Sequence, residues 1–382
     1  MLIKNGLVHN AVDREPFIAD ILVEDGKIKA IGANLSVDAT EEVVDATGLE
    51  IYPGFVEAHC HIGIAGRFGQ GKDTGDHNER NDAVSPQLRA IDAIDPFDEN
   101  FVFAREAGVT TVCTGPGSAN AIGGTFIAMK TVGRCVDKMA IKNEVAMKCA
   151  FGENIKGVHA SKGISTRMAI ASVMRDVLSK AKRYAMQIDA ANGDVSKYPS
   201  FDAKLNALLP VIRGEMPLKA HAHQTNDILT AVRIAKEFGV KMTLEHVTEG
   251  HLIVEELVEA GLPLAVGPTL CNGAKFELRN KDWQTPGVLS KAGCHVSIVT
   301  DSPVITQQNL PICAGFAVKA GMDPFEALKA ITIYPAEHIG VADRVGSLEV
   351  GKDADIVITD GCPFEIATTV KAVYIDGKNV LN

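Results

Sequence analysis

His59-Cys60-His61 places two imidazoles two positions apart, at the end of the run Tyr52-Pro53-Gly54-Phe55-Val56-Glu57-Ala58. Side chains alternate along a strand, so an extended chain puts both rings on one face. Neutral imidazole is the commonest donor to zinc, iron and similar ions. The pair thus points to a metal centre, or else to two hydrogen-bonded core histidines. Other ligand-type residues recur where apolar runs end. His221-Ala222-His223 follows Pro217 to Ala220, His246 follows Lys241 to Glu245, and Asp301 follows His295 to Thr300. Lys148 lies in the frame Val145-Ala146-Met147-Lys148-Cys149-Ala150, with Glu153 just beyond it. Singly, each has an ordinary explanation; Asp301, before Ser302-Pro303, could cap a helix. Their joint occurrence at separate strand ends is harder to explain as structure alone. Nitrogen and oxygen donors without thiolate suit zinc, iron or manganese. Such an ion lowers the pKa of its water to about 7. An aspartate beside it can then carry the proton to a leaving amine. The expected reaction is hydrolysis at an amide-like carbon.

The elements that must position these residues alternate. Apolar strand runs at Val109–Val112, Val145–Ala150, Pro217–His223, Lys241–His246, Leu264–Val266 and His295–Asp301 are separated by helical spacing. The helical stretches include Arg167 to Met186, Asp227 to Gly239 and Ile253 to Gly261. Strand-then-helix alternation implies a parallel sheet. About eight such units fit an α/β fold of the (β/α)8 TIM-like barrel type, whose sites sit at the C-terminal ends of the strands. A doubly wound sheet is disfavoured because Gly115-Pro116-Gly117 lacks the further glycine of a dinucleotide loop. Both ends of the chain read differently, as short strands and turns such as Asp25-Gly26 and Asp376-Gly377. We therefore expect a small discontinuous β-sandwich module from 1–52 and 345–382, around a metal-dependent barrel at 53–344.

The net charge of −10 argues against a nucleic-acid or anionic-membrane surface. No apolar run is long enough to span a bilayer, and the N-terminus is not a signal segment. A cytoplasmic enzyme with a small-molecule substrate is the expectation. The eight scattered cysteines form no Cys-x-x-Cys pair, which excludes a thiolate zinc site. Nothing encodes the oligomeric state; a homo-oligomer, commonly a dimer, is the default.

The chain resembles the amidohydrolase superfamily, in its imidazolonepropionase-related and prolidase-like branch. The resemblance rests on Tyr52 to His61, on Gly108-Val109-Thr110-Thr111-Val112, and on the run from Gly346 to Val357. It implies that His59 and His61 bind the more buried ion, and that Asp301 is both ligand and general base. It makes His221 the fifth-strand ligand. His246, on the sixth strand, holds a second ion or contacts substrate. Lys148 resembles the lysine that some members carboxylate to bridge two metals; an ammonium has no lone pair, so the modification is required. Glu153 is the rival for that place. The resemblance thus implies one or two divalent ions, zinc first, with iron or manganese as alternatives. The substrate bond is an amide, cyclic amide or amidine; deamination of an amino-heterocycle and dipeptidase-like cleavage are alternatives, and a non-catalytic metal-binding barrel is the reading from another class.

Gln224 stands where the imidazolonepropionase pattern has an acidic residue. His223 doubles His221, so either can be ligand and the other a substrate contact. Arg167 suits a substrate carboxylate, with Ser165 as the expected helix cap. The segment from Gly63 to Pro96, with Arg67 and His77, is expected to cover the pocket mouth. His159 is expected as a solvated loop residue, and His251, His295 and His338 as structural.

Overall fold

The computed structural model describes residues 1–38, 42–66 and 75–381. Arg67 lies outside the described residues, as do Lys72 and Asp73 of the same segment. The two ends of the chain meet in one eight-stranded sheet. Its members are Leu2–Val8, Phe17–Glu24, Lys27–Gly32, Val43–Asp45, Glu50–Pro53, Ile356–Thr359, Val370–Ile375 and Lys378–Asn379. The Asp25-Gly26 turn pairs Glu24 with Lys27, and both turn residues have positive φ (48° and 76°). That is the hairpin turn whose twist matches its strands. Glu50–Pro53 pairs antiparallel with Ile356–Thr359, Tyr52 opposite Val357, and so joins distant parts of the chain. Ile3, Ile21, Ile51, Ile356 and Ile358 form the core of this sheet.

The central strands Met147–Ala150, Leu218–Ala222, Met242–His246, Leu264–Val266 and Val296–Ile298 are parallel neighbours in that order. Every residue in them is buried. That explains why they read as continuous apolar runs rather than alternating ones. Helices Arg167–Ala190, Thr225–Phe238, Val254–Ala260 and Thr285–Lys291 return the chain between or after these strands. Gly239 and Gly261 stop two of them in the left-handed conformation (φ 66° and 61°). Thr166, not Ser165, caps the long helix, its side chain accepting from the Ala169 N–H.

A second sheet sets Phe55–Cys60 parallel to Val109–Thr114. Strict strand-helix alternation fails beyond it. Ile122–Thr125 and Ile127–Lys130 are antiparallel to Met147–Ala150 and Val109–Thr114, respectively. No helix lies between Thr114 and Ile127, and a parallel return to the same sheet needs a crossover that is usually helical. The two sheets are bridged by the 330–331 segment. Val56 N–H donates to the Ile331 carbonyl and Ile298 N–H to the Ala330 carbonyl, both at 2.8 Å. His61 N–H reaches the Ser302 carbonyl at 2.7 Å. Buried Lys130 pins the inner strands to the terminal sheet. Its Nζ lies 2.7 Å from Asp355 and 3.0 Å from Asp353.

Candidate metal centre and active site

His59 ends the Phe55–Cys60 strand with no side-chain exposure. Its Nδ1 faces Glu245 Oε2 at 3.0 Å, which directs Nε2 toward Asp301 Oδ1 at 3.8 Å. His61 follows the strand; its Nδ1 meets the Gly115 carbonyl at 2.7 Å and its Nε2 lies 3.2 Å from Asp301 Oδ1. His246 ends its own strand, with Nδ1 on the Gly267 carbonyl at 2.8 Å. His221 Nδ1 is held by Ser118 Oγ at 2.8 Å and His223 Nδ1 by Thr248 Oγ1 at 2.7 Å. In each of the five rings a hydrogen-bond partner on Nδ1 leaves Nε2 to face the interior of the site. A second partner of this kind fixes tautomer and orientation in metal-binding histidines.

Two groups of donor atoms come close enough to hold an ion: His59, His246 and Asp301, and His221, His223 and His246. The nitrogens are in the right protonation state. Burial lowers His59, His221 and His223 well below the usual imidazole range, and lowers His246 to about 4. Burial alone would raise Asp301, but His246, His61 and His59 hold it well below the carboxylate range. His221 Nε2, His246 Nε2 and Asp301 Oδ1 are buried with no hydrogen-bond partner. Such atoms are costly unless something satisfies them, and a divalent cation does. The residues therefore fit the metal that the donor set implies. His246 and Asp301 also have positive φ, 76° and 53°. For residues other than glycine this is strained backbone of the kind found at ligand clamps.

Lys148 is fully buried, its Nζ 3.3 Å from His59 Nε2. Burial lowers it to about 8, against the carboxylates of Asp301 and Glu245 and with the help of Lys219. Glu153 opens a helix, half-buried, and belongs to neither donor group. Its backbone N–H donates to Glu277 Oε2 at 3.0 Å. Gln224 is buried and accepts a hydrogen bond from Arg167 Nη2. Arg167 Nε is engaged by both oxygens of Asp227, at 2.9 and 3.0 Å. Its guanidinium thus braces Gln224. His77 brings the covering segment to the site, its ring centroid 5.8 Å from that of His61. It borders a cavity of about 520 Å³ that Asn78, Arg80 and Asn120 also line, within the size range of ligand pockets.

Several residues were not anticipated. Glu57 is buried on the first strand. Its Oε2 accepts from Thr300 N–H, Thr300 Oγ1 and Gln307 Nε2, tying that strand to the Asp301 turn. A carboxylate two positions before His59 in an apolar run was a signal available in the sequence. Glu245 holds not only His59 but also Lys219 Nζ at 2.9 Å and His338 Nε2 at 2.9 Å. His338 is thus structural, yet it connects to the site. His159 is fully buried with neither ring nitrogen hydrogen-bonded, contrary to the expected solvated loop position.

Residues 51–380 match the amidohydrolase family. The chain belongs to that family. It is 38% identical to the crystal structure of an amidohydrolase from Thermotoga maritima MSB8, covering 100% of this chain and 99% of that one, with a TM-score of 0.95. It is 29% identical to the amidohydrolase tasK of Hapsidospora irregularis over 94% of this chain, and spans only 40% of that relative's length. It is 28% identical to the imidazolonepropionase of Thermoplasma volcanium, covering 95% of this chain and 91% of the relative.

Proposed function

We propose that the protein is a divalent-metal hydrolase of a non-peptide carbon–nitrogen bond in a small molecule: an amide, cyclic amide or amidine. The observation that carries this reading is the convergence of His59, His246 and Asp301, with His246 Nε2 and Asp301 Oδ1 buried and without a hydrogen-bond partner. In this reading the inner strands and the 330–331 bridge form a (β/α)8 barrel, with the site at the C-terminal strand ends. His59, His61 and Asp301 hold one ion, zinc before iron or manganese. When bound, the ion acidifies a water molecule and polarises the substrate carbon.

Asp301 accepts the proton of the attacking water and delivers it to the departing nitrogen, so one carboxylate serves both halves of the reaction. Its two oxygens lie 3.2 Å from His61 Nε2 and 4.0 Å from His246 Nδ1. Gln224, braced by Arg167, offers an amide that can orient the substrate. It cannot replace a carboxylate in proton transfer, which sets this site apart from the imidazolonepropionase pattern. The cavity beside His77 holds the remainder of the substrate.

The test is chelation of the purified protein, followed by zinc, iron or manganese reconstitution and assay on cyclic amides, amidines, dipeptides and amino-heterocycles. Activity that disappears on chelation and returns with metal supports the reading, and the responding group identifies the bond. Protein that takes up metal yet hydrolyses none of them would instead be a binding barrel.

A further inference from the structure

The metal centre accounts for five imidazoles, and a sixth stands beside them. The ring centroid of His77 is 5.8 Å from that of His61. His59, His61 and His246 each come within 4.0 Å of an Asp301 oxygen. His77 makes no such contact among the described residues and is in neither donor group. It flanks the centre without being a ligand. Its backbone is fixed on two sides. The His77 carbonyl accepts from the Gly117 N–H at 2.6 Å, and the Ala119 N–H donates to Asn78 Oδ1 at 3.1 Å. The Asp76 N–H donates to the Ile64 carbonyl at 3.0 Å. The segment is thus tied to the chain just past His61 and to the loop whose Gly115 carbonyl orients His61. Nδ1 of His77 is buried with no hydrogen-bond partner among the described residues. Gly75 packs against this edge; a Cβ at Gly75 would stand 3.1 Å from Nδ1. Orphaned buried N–H groups are rare, so the proton belongs on Nε2. The ring borders the cavity of about 520 Å³ beside the site.

We propose that His77 is a further catalytic residue, whose Nε2–H donates to the carbonyl oxygen of the substrate. The attacking water supplies the nucleophile, and Asp301 carries its proton to the leaving nitrogen. Neither offers a hydrogen-bond donor to that oxygen. When water adds, the C=O π pair moves onto oxygen. When the adduct collapses, the pair returns, the C–N bond breaks and nitrogen leaves with the proton from Asp301. His77 keeps its own proton throughout, and its hydrogen bond is strongest while the oxygen is negative. A donor held in place before the charge develops lowers the barrier without reorganising. The role favours amides and cyclic amides over amidines, whose reacting carbon bears no oxygen.

The proposal rests on the metal reading above, and the experiment separates the two. Cobalt-loaded wild type, His77→Ala, His77→Phe and His77→Gln are titrated with methylphosphonate, a tetrahedral oxyanion that resembles the adduct. The change in the cobalt absorption bands gives the dissociation constant, and bound cobalt per chain is counted after desalting. Circular dichroism checks that each variant folds. All four proteins should hold the same number of ions. His77→Ala and His77→Phe, unlike in bulk but alike in lacking the donor, should bind methylphosphonate at least about tenfold more weakly. His77→Gln, whose amide can donate, should recover part of that loss. On any amide that the wild type hydrolyses, both should lower kcat about 100-fold with little change in KM. Either variant binding methylphosphonate as tightly as wild type, or losing an ion, overturns the proposal and leaves the hydrolase reading standing. So does a wild type that holds cobalt but does not bind methylphosphonate. A wild type that holds no metal overturns both.

Discussion

Glu245 and Lys148 frame His59 from opposite nitrogens. Glu245 takes Nδ1, and the Lys148 amine stands beside Nε2, where the ring should meet a metal. An ammonium there would repel a cation and has no lone pair to offer one. Burial lowers Lys148 to about 8, so a neutral amine is accessible near physiological pH. A neutral amine can add carbon dioxide and lose a proton, giving a carbamate with two oxygen donors. We therefore expect Lys148→Ala to lose one bound ion and most of its activity, about 100-fold or more if a ligand is removed. Short carboxylic acids should restore part of both. Metal content and turnover with and without added acetate check this; unchanged stoichiometry would pass the role to Glu153 or to no residue. The ligand types were legible in the sequence because metal chemistry admits so few side chains. Glu245 was not, since no spacing rule connects it to His59, 186 positions away.

At the scale of elements, His61, His223 and His246 are positioned at strand ends and oriented by the loop that follows the neighbouring parallel strand. His246 shows the dependence. Its Nδ1 partner is the Gly267 carbonyl, just past the Leu264–Val266 strand. Gly267 has φ +148°, and a Cβ there would sit 2.0 Å from the Val299 carbonyl oxygen. Gly267→Ala should therefore lower stability by about 1–3 kcal/mol, and also weaken metal binding by displacing the carbonyl that aims His246. Urea unfolding together with metal titration checks both; a variant as stable and as metal-competent as wild type would show that the turn can yield. The central strands were readable to within two residues, except that the last was read through Asp301 and ends at Ile298, because burial on both faces makes them apolar throughout. The antiparallel insertion between Gly115 and Lys142 was not. Ile122–Thr125 holds two glycines and no apolar run, and Ile127–Lys130 reads much like a parallel strand, so only the short spacing before it reports its direction.

For the whole molecule, the junction between the terminal sheet and the inner strands is ionic at its centre. Burial lowers the pKa of Lys130, but Asp355, Asp353 and Asp376 outweigh it and raise it above 10.5. A lysine raised on folding adds stability that is complete below its unfolded pKa and is lost as pH rises through its folded one. The wild type should thus lose stability above about pH 10.5 more steeply than Lys130→Arg, whose charge persists. Lys130→Met should cost about 3–5 kcal/mol at neutral pH, because Asp355 remains buried without its cation. Urea titrations at pH 7, 9 and 11 test both statements; parallel pH curves for wild type and Lys130→Arg would contradict the first.

The pairing of Glu50–Pro53 with Ile356–Thr359 also has a consequence in time. On a ribosome adding about 5–20 residues per second, the second strand emerges roughly 15–60 seconds after the first. Through that interval the Glu50–Pro53 strand presents an unpaired edge, and Ile51 lacks the apolar neighbours Ile356 and Ile358 that later cover it. An open edge is a template for wrong partners. The nascent chain is therefore exposed from before its first metal-ligand candidate, His59, until after its last, Asp301, has been synthesised, and shielding of its first fifty residues during translation should raise the yield of folded protein.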